Sequence, residues 1–189
     1  SYLLSNDLIS DSQHGFLKKR STFSNLLYSI RHWLSSLNSG KSTDVIYVDF
    51  AKAFDSVSHT KLLHKLNSYG ISGHLHSWIS AWLSGRTQSV NLGSSFSTPK
   101  SVLSGILQGS VLGPLLFLIY INDLDDLLPP DSHPTLFADD LKLFSDEPSS
   151  FIPGSKSLVS SRLLQCSLDQ LLLWSSLWQL PISIPKCSV

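Results

Sequence analysis

The sequence predicts an α+β fold, in which strands lie among more numerous helices. Its 189 residues are 42% hydrophobic and only 15% charged, which excludes a disordered chain and suffices for one domain. Strand patterns occur at separated places between segments with the spacing of amphipathic helices. Strands that lie non-sequentially around a sheet favour α+β over a doubly wound α/β arrangement.

The first elements are a capped helix and an apolar strand. Ser21 or Thr22 can cap a helix whose apolar residues recur at helical spacing, and Gly40 ends it. Asp44–Ala51 is rich in β-branched and aromatic residues, and its continuous apolar run predicts burial on both faces. With a two-residue period, Asp49 places a carboxylate at the end of this strand.

The middle of the chain predicts helices, a ribbon and a loop. Helical patterns cover roughly residues 59–69 and 73–84, and each is followed by a glycine. Weak alternation over residues 86–103 predicts a β-ribbon around Gly93. Residues 104–113 form a glycine-punctuated loop.

The last third predicts two helices with a hairpin between them. Pro114 suits the first turn of a helix that runs to about residue 127. Residues 136–144 form a β-hairpin with acids at its turn. A Pro/Ser-rich connector at residues 145–157 then leads to a helix over about residues 158–177 and a final strand at Ile182–Ile184.

The acidic turn of the hairpin is the strongest chemical signal. Asp139 and Asp140 are adjacent, and because like charges repel, an acidic pair between apolar strands suggests an attracted cation. A solvated Asp-Asp turn is the ordinary alternative. Asp49 lies 90 positions upstream, also at a strand end, and if the strands are neighbours these carboxylates can share two divalent ions. Spacing alone leaves exposed acids as an equal alternative.

Four sequence segments, in order, carry a resemblance to a known family. Together they closely resemble the reverse transcriptase domain of non-LTR (LINE-like) retrotransposons, over nearly the whole chain. The segments are QHGFLKKRST (Gln13–Thr22), VIYVDFAKAFDSV (Val45–Val57), SGILQGSVLGPLLF (Ser104–Phe117) and FADD (Phe137–Asp140).

The resemblance implies a metal-dependent catalytic site. Asp49 and Asp139 correspond to the family's two principal metal-binding aspartates, and Asp140 is the adjacent acid. The implied cofactor is Mg²⁺, with Mn²⁺ as an alternative, since a hard cation accepts a few carboxylates together with substrate phosphate oxygens. Lys186 resembles the lysine that can protonate the leaving pyrophosphate, although an exposed lysine near the end of the sequence is an equal alternative.

The resemblance also implies nucleotide contacts. The backbone of Phe50 would lie near the triphosphate, and Phe54 matches an aromatic steric gate that excludes the ribose 2′-hydroxyl by clash. Without the family match, Phe54 is more simply a core aromatic. Gln108 and Gly109 resemble the pair under the incoming nucleotide and template base, where an amide can hydrogen-bond and a glycine allows close approach.

A short basic run is a further candidate contact. Lys18, Lys19 and Arg20 resemble the basic turn of the fingers that meets template or nucleotide phosphates. Three basic residues in a row more commonly form a solvated face. The 14 basic and 14 acidic residues cancel, so no bulk positive field indicates nucleic acid.

The implied architecture is a polymerase right hand, with an antiparallel palm sheet that bears the acid cluster and packs against helices. We expect residues 1–42 to form partial fingers and residues 43–189 to form mostly palm. The family's upstream fingers strand, thumb and endonuclease are expected to be absent. The missing segments of the same polyprotein are therefore expected partners, together with an RNA template, a DNA primer and dNTPs.

The implied function is RNA-directed DNA polymerisation, a nucleotidyl transfer from dNTP to a primer 3′-hydroxyl. The first alternative is a non-catalytic remnant with at most weak RNA binding, because a palm without a thumb makes few phosphate contacts. A second alternative, an RNA-directed RNA polymerase, would need a small or polar residue at the position of Phe54. A third alternative is a group II intron maturase, which is a nearer relative of the non-LTR reverse transcriptases than an RNA polymerase is. The two cysteines, the lack of a signal peptide and apolar runs too short for a bilayer predict an intracellular protein without a membrane partner.

Overall fold

The computed structural model describes residues 2–130, 132–146 and 158–189, and it has the predicted α+β fold. The helices are α1 (Tyr2–Ser5), α2 (Thr22–Asn38), α3 (Ala53–Ser56), α4 (His59–Ser68), α5 (Gly73–Leu83), α6 (Gly113–Ile121) and α7 (Leu158–Trp178). The strands are β1 (Thr43–Val48), β2 (Thr87–Gln88), β3 (Asn91–Leu92), β4 (Ser95–Phe96), β5 (Lys100–Ser101), β6 (His133–Phe137) and β7 (Asp140–Asp146). Short 3₁₀ turns cover Asn122–Leu127 and Ile184–Lys186.

A three-stranded antiparallel sheet organises the molecule. Its order is β1–β7–β6, so the strand that follows the acidic turn lies in the middle. Val48 pairs with Leu141, which brings the residue after β1 level with Asp140. Phe137 pairs with Asp140 across the hairpin. The register therefore brings both acidic segments to one end of the sheet, as the sequence predicts.

Helix α2 covers one face of the sheet with its polar side. It begins as predicted, with Ser21 as N-cap in a capping box with Ser24. Its buried residues are Asn25, Ser29 and Ser36, and the Asn25 amide donates to Thr135 Oγ1 of β6 at 2.7 Å. The apolar residues that predicted this helix are exposed instead: Phe23, Leu26, Leu27, Ile30, Leu34 and Leu37. Helical spacing thus predicted the helix but not the face that packs.

The main core lies against the other face of the sheet. Leu141 and Leu143 of β7 belong to it, together with Ile46 and Val48 of β1. The central helix α6 is buried from Leu116 to Ile121, and α4 and α7 complete the cluster through apolar side chains. This layer fixes the sheet from behind and leaves its acidic end accessible.

Two predictions about individual elements need correction, and a third is confirmed. β1 is not buried on both faces, because Tyr47 is 43% exposed. The helix that begins at Pro114 ends at Ile121 and continues only as a 3₁₀ turn to Leu127. The predicted β-ribbon is confirmed as two short antiparallel pairs, β2 with β5 and β3 with β4.

The last residues do not form the predicted strand. Ile182 makes a single bridge with Phe50, and a 3₁₀ turn follows at Ile184–Lys186. Pro181 and Pro185 lack the N–H groups that a ladder needs, which explains why pairing stays isolated. The connector predicted at residues 145–157 lies outside the described residues from residue 147 onward. Within the described ranges, no helix has the length and apolar character needed to cross a bilayer.

A buried lysine lies behind the sheet. Lys65 is 3% exposed, donates to Asp123 Oδ1 at 2.5 Å and to the carbonyl of Tyr120, and lies 3.8 Å from the ring centroid of Trp178. Burial lowers the pKa of Lys65 to about 8, against the opposing attraction of Asp123. The protonated ammonium is therefore a net cost to the folded state, despite its partners.

We expect this lysine to make stability depend on alkaline pH. Between pH 8 and about 10.5 the unfolded chain holds a proton that the folded chain has released, so the free energy of unfolding rises with pH, by about 3 kcal/mol in all. Lys65→Met should remove this rise, as measured by urea unfolding across that pH range. Lys100→Met, at an exposed position of β5, is the matched control and should keep the wild-type rise. A rise that persists in Lys65→Met would assign the pH dependence to other groups.

Candidate active site

An open cavity of about 660 Å³ lies at the acidic end of the sheet. Asp49 and Asp139 line it together, although 90 residues separate them in sequence. It also collects the residues assigned to nucleotide contacts. The full lining is Phe16, Asp49, Phe50, Lys52, Ala53, Phe54, Leu107, Gln108, Gly109, Ser110, Pro114, Asp139 and Lys186.

Asp49 is positioned by the end of β1 and by the last residues of the chain. Its carbonyl accepts from Ser183 N–H at 2.8 Å, and Ala51 N–H donates to Pro181 O at 2.7 Å. This pairing brings Lys186 Nζ to 3.4 Å from Asp49 Oδ1. Asp49 Oδ1 is buried, and no hydrogen bond reaches it from the described residues. Among the described residues, this buried carboxylate oxygen has only the Lys186 ammonium as an ion-pair partner and no hydrogen bond, so it retains capacity to bind a further cation.

The turn that carries Asp139 is held by one glutamine side chain. Ala138 has a φ of +56°, a left-handed conformation that costs a non-glycine residue energy. Gln13 Oε1 accepts from Ala138 N–H at 2.8 Å and from Gly15 N–H at 2.7 Å, and its amide donates to Ala138 O at 3.3 Å. A Cβ on Gly15 would meet Ala138 N at 2.3 Å, so the close approach requires glycine. The segment QHG therefore fixes the acidic turn.

The electrostatics of Asp139 favour its protonated form. Burial raises the pKa of this carboxyl, and the charges of Asp140 and Asp49 raise it further, while a backbone hydrogen bond and Lys186 act in the opposite direction. The three acids thus repel one another at neutral pH. Among the described residues, they do not form a cluster whose ligand atoms all lie within 4.8 Å. A bound divalent cation would relieve the repulsion and draw the carboxylates together.

Asp140 faces a neighbouring cavity rather than the main one. It is exposed at the start of β7 and lines a space of about 340 Å³ with Asp49, Lys142 and Lys186. Asp49 and Lys186 line both cavities, so Asp140 lies on the flank of the site. The structure brings this acid near the other two without placing it between them.

Phe50 and Phe54 differ in burial: Phe50 is buried, whereas Phe54 is partly exposed. The Phe50 ring packs near Trp174 at a centroid distance of 6.1 Å. The Phe54 ring stacks on Phe117 at 4.3 Å, with an interplanar angle of 17°, and is partly exposed to the cavity. Phe54 is thus both a core aromatic and a wall of the site. The two interpretations of Phe54, a core aromatic and a steric gate, are therefore compatible with each other.

The loop before α6 is docked on α3. Ile106 N–H donates to Phe54 O at 2.9 Å, and a Cβ on Gly105 would meet Asp55 Cα at 2.8 Å. Gln108 is exposed and donates from Nε2 to Asp55 Oδ1 at 3.0 Å. Gly109 follows with a φ of +79° and open space where a side chain would lie. This docking brings Gln108 and Gly109 to the cavity wall.

The basic run is not part of this cavity. Lys18 and Lys19 are exposed on the surface and do not line it. The Arg20 guanidinium is occupied by local hydrogen bonds: it donates to Asp11 Oδ1 at 2.6 Å and to the carbonyls of Asp11 and Gln13. Arg20 therefore braces the QHG segment, and only the two lysines remain available for phosphate contacts.

Sequence reasoning missed three residues at this site. Gln13 and Phe16 were noted only as part of a motif, and Lys52 was given no role. Phe16 has a φ of +56° and meets the Phe54 ring edge-on, with centroids 6.2 Å apart. Lys52 has a φ of +49° and lines the cavity from an exposed position. All three lie within the motifs that carry the family resemblance, but the motifs do not predict these contacts, which join segments distant in sequence.

We expect Gln13→Ala to loosen the acidic turn. The substitution leaves the N–H groups of Gly15 and Ala138 without their acceptor, at a cost of about 1–3 kcal/mol in the free energy of unfolding. Amide hydrogen exchange should accelerate at Ala138, and urea denaturation gives the overall loss. Gln88→Ala, at an exposed position of β2, should change neither quantity. Unchanged exchange at Ala138 would show that the turn holds without Gln13.

A family model provides the deciding comparison. The model described as "Reverse transcriptase (RNA-dependent DNA polymerase)" matches residues 2–189. The chain belongs to the reverse transcriptase family. The resemblance to the non-LTR retrotransposon branch of reverse transcriptases is confirmed by curated relatives.

The relatives of this reverse transcriptase domain are proteins of mobile elements. It is 26% identical, over 95% of its length, to the probable RNA-directed DNA polymerase from transposon BS of Drosophila melanogaster. It is 28% identical, over 93% of its length, to the RNA-directed DNA polymerase from mobile element jockey of Drosophila funebris. The chain spans 20% of the first relative and 19% of the second. It therefore corresponds to about one fifth of each.

Solved structures of low sequence identity share the fold. Telomerase from Candida tropicalis, in complex with a fragment of telomeric RNA, superposes with a TM-score of 0.68 at 12% identity, covering 99% of this chain and 32% of that one. A truncated apo form of the same telomerase gives a TM-score of 0.64 at 12% identity, covering 98% of this chain and 37% of that one. The predicted polymerase right-hand fold is thereby confirmed.

The residues of the reverse transcriptase cavity fit a divalent cation. Members of this family generally use a divalent metal. Here the donor set consists of carboxylate oxygens, with Asp49 Oδ1 buried and lacking a hydrogen bond from the described residues. Asp139 shares the same cavity, and its pKa is raised by burial and further by the negative charges of Asp140 and Asp49. Oxygen-only donors favour a hard cation over zinc or copper.

Proposed function

We propose that this chain is the catalytic core of an RNA-directed DNA polymerase, which joins a dNTP to a primer 3′-hydroxyl. The observation that carries the proposal is the convergence of Asp49, Asp139, Phe54 and Gln108 on one cavity, in a chain of the reverse transcriptase family. Acids, an aromatic wall and a docked glycine loop are the parts that a nucleotide triphosphate with its cations requires.

In this proposal Asp49 and Asp139 hold the catalytic cations, with Asp140 contributing from the flank. We assign Mg²⁺ as the cation, with Mn²⁺ as a substitute, on the oxygen-only donor set. When bound, the two ions stabilise the charge on the attacking and leaving oxygens of an in-line displacement. The contribution of the protein is to fix the carboxylates: β1 and the last residues hold Asp49, and the Gln13-braced turn holds Asp139.

The other cavity residues position and select the nucleotide. The Phe54 ring is kept rigid by its stack on Phe117, so a ribose 2′-hydroxyl would meet a wall that cannot move away. The backbone of Phe50 lies beside the triphosphate position. Gly109 leaves space for close approach, and Gln108, held by Asp55, presents its amide beneath the base.

Lys186 is the proposed proton donor. Its ammonium group lies 3.4 Å from Asp49 Oδ1, yet its side chain is 68% exposed and free to swing toward a leaving pyrophosphate. The primer 3′-hydroxyl loses its proton to water as its oxygen bonds to the α-phosphorus. The bond to pyrophosphate breaks in the same step, and Lys186 supplies the proton that neutralises the departing oxygen.

The same proposal assigns the surrounding partners. The template is RNA and the primer is DNA, with phosphate contacts from Lys18 and Lys19 at the fingers side. Residues 1–42 are proposed to be part of the fingers and residues 43–189 mostly palm. Since the matched relatives are about five times longer, further segments of the same polyprotein would complete the grip on the duplex.

Primer extension tests this function directly. The 189-residue chain and a longer protein that includes it are each given an RNA template, a DNA primer, dNTPs and Mg²⁺. The proposal expects extension by the longer protein, and loss of extension when Mg²⁺ is removed. No extension by either protein, despite binding of template and nucleotide, would favour the non-catalytic remnant.

A further inference from the structure

A second cluster of ligand-type side chains lies away from the polymerase cavity. His32, His133 and Asp146 each offer one ligand atom, and all three atoms lie within 4.8 Å of one another. They come from α2, β6 and β7 respectively. Along β7, Asp146 is six residues from Asp140, which separates the cluster from the acidic end of the sheet by roughly 20 Å.

The backbone explains why these residues meet. His133 begins β6 and pairs with Phe144, and Asp146 ends β7 two residues further on, on the same face of the sheet. The face that carries Phe144 and Asp146 is the one that α2 covers, and α2 places His32 above it. The ring centroids of His32 and His133 lie 4.3 Å apart, and the His32 ring stacks on Phe144 with a centroid distance of 5.5 Å.

One ligand-to-ligand distance is close to that of a tetrahedral metal site, and all three ligand atoms lie within 4.8 Å of one another. His32 Nε2 lies 3.0 Å from Asp146 Oδ1. Two ligands that each bond zinc at about 2.0–2.1 Å lie roughly 3.3 Å apart at tetrahedral geometry. Side-chain rotations that adjust the distances to the His133 nitrogen would therefore admit an ion between the three ligand atoms. The side chains of His32 and Asp146 are 17% and 21% exposed, so they are shielded but reachable.

The surroundings orient the carboxylate as a ligand. Thr43 donates from its hydroxyl to Asp146 Oδ1 at 2.9 Å, and Ser36 adds a further hydrogen bond. The carboxylate is thus held in place by hydrogen bonds, as metal-binding carboxylates are. A pocket of about 80 Å³ opens on His32 and Asp146 and has room for a water as fourth ligand, with Lys41 on its wall.

We propose that His32, His133 and Asp146 bind one Zn²⁺ ion, which ties α2 to the sheet. Two imidazole nitrogens and one carboxylate oxygen suit a cation of intermediate softness such as Zn²⁺. The acids of the polymerase cavity offer only oxygen ligands and suit a hard cation such as Mg²⁺. The three ligands join α2 to both strands of the hairpin, so the ion cross-links elements that otherwise meet through polar contacts. The site is independent of the proposed polymerase activity.

Metal titration of the full 189-residue chain tests the proposal. After treatment with a chelator, the protein is titrated with Zn²⁺ alone in competition with a chromogenic chelator, and with Co²⁺ alone by visible absorbance. We expect one equivalent of Zn²⁺ and the intense d–d bands of four-coordinate Co²⁺. His32→Ala and His133→Ala should each weaken Zn²⁺ binding by at least about a hundredfold, and Thr43→Val by about tenfold.

The controls separate this site from the polymerase cavity. His74→Ala, at an exposed position of α5, should leave the affinity unchanged, and so should the double variant Asp49→Asn/Asp139→Asn. Wild-type protein gives a readout that needs no variant: paramagnetic Co²⁺ should broaden the imidazole signals of His32 and His133 and spare those of His74. Broadening elsewhere, or zinc affinity lost only with the aspartate variants, would overturn the proposal.

Discussion

Asp139→Asn is expected to abolish primer extension while the chain keeps its fold. The substitution keeps the size of the side chain and removes the charge that would hold a cation opposite Asp49 in the proposed site. Loss of one metal ligand at a two-ion centre should lower the extension rate by on the order of a thousandfold or more. The measurement is single-nucleotide extension on an RNA template, by a protein long enough to grip the duplex. Asp49→Asn should give the same loss.

Stability separates a catalytic loss from an unfolded protein. The pKa of Asp139 is raised in the folded chain, so its contribution to stability is complete at low pH and is lost as pH rises through that pKa. Asparagine resembles the protonated form, and Asp139→Asn should therefore be at least as stable as wild type at pH 7 without metal. Asp169→Asn, on the exposed side of α7, is the matched control and should retain full extension. Normal extension by Asp139→Asn would refute the catalytic assignment.

Phe54→Val is expected to weaken the discrimination against ribonucleotides. The shorter side chain opens the wall of the cavity where a 2′-hydroxyl would lie, while deoxynucleotides lose little contact. We expect the ratio of kcat/KM for a dNTP to that for the matching NTP to fall by about a hundredfold. The ratio is measured on one RNA template, with Mg²⁺ held constant.

The control for this variant must account for packing. The Phe54 ring also stacks on Phe117, so valine should reduce stability as well as selectivity. Phe96→Val removes a ring that is 70% exposed on β4 and should alter neither the ratio nor the fold. If Phe54→Val lowers incorporation of both nucleotides equally, the ring supports the site without selecting the sugar. An RNA-directed RNA polymerase would already incorporate the NTP in the wild type.

Local patterns predicted much of the fold because they report local preferences. The capping serine of α2, the glycine that follows α4 and the apolar runs of the hairpin all act within a few residues. The exposed apolar stripe of α2 shows the limit of this reasoning. Helical spacing says which residues share a face, but only the register of β6 and β7 places Asn25 opposite Thr135.

The candidate site depended more on the ordered motifs than on residue chemistry. An acidic dipeptide alone is ambiguous, and Asp49 gained meaning only as part of a string that matches a family. Gln13 could not be recognised as a positioning residue, because its hydrogen bonds reach Ala138, 125 residues away. His32, His133 and Asp146 carry no sequence signal either, since three separate elements bring them together.

The short pairings at the two sides of the sheet have a consequence for self-association. An open strand edge is a template for another chain, and proteins protect such edges. At the acidic end of this sheet, Gln13 bridges to Leu136 beside β6, while Ile182 and Ser188 bridge to Phe50 and Tyr47 beside β1. Both outer strands are thus occupied where the acids lie. A second molecule therefore cannot extend the sheet by edge-to-edge pairing at these bridged positions.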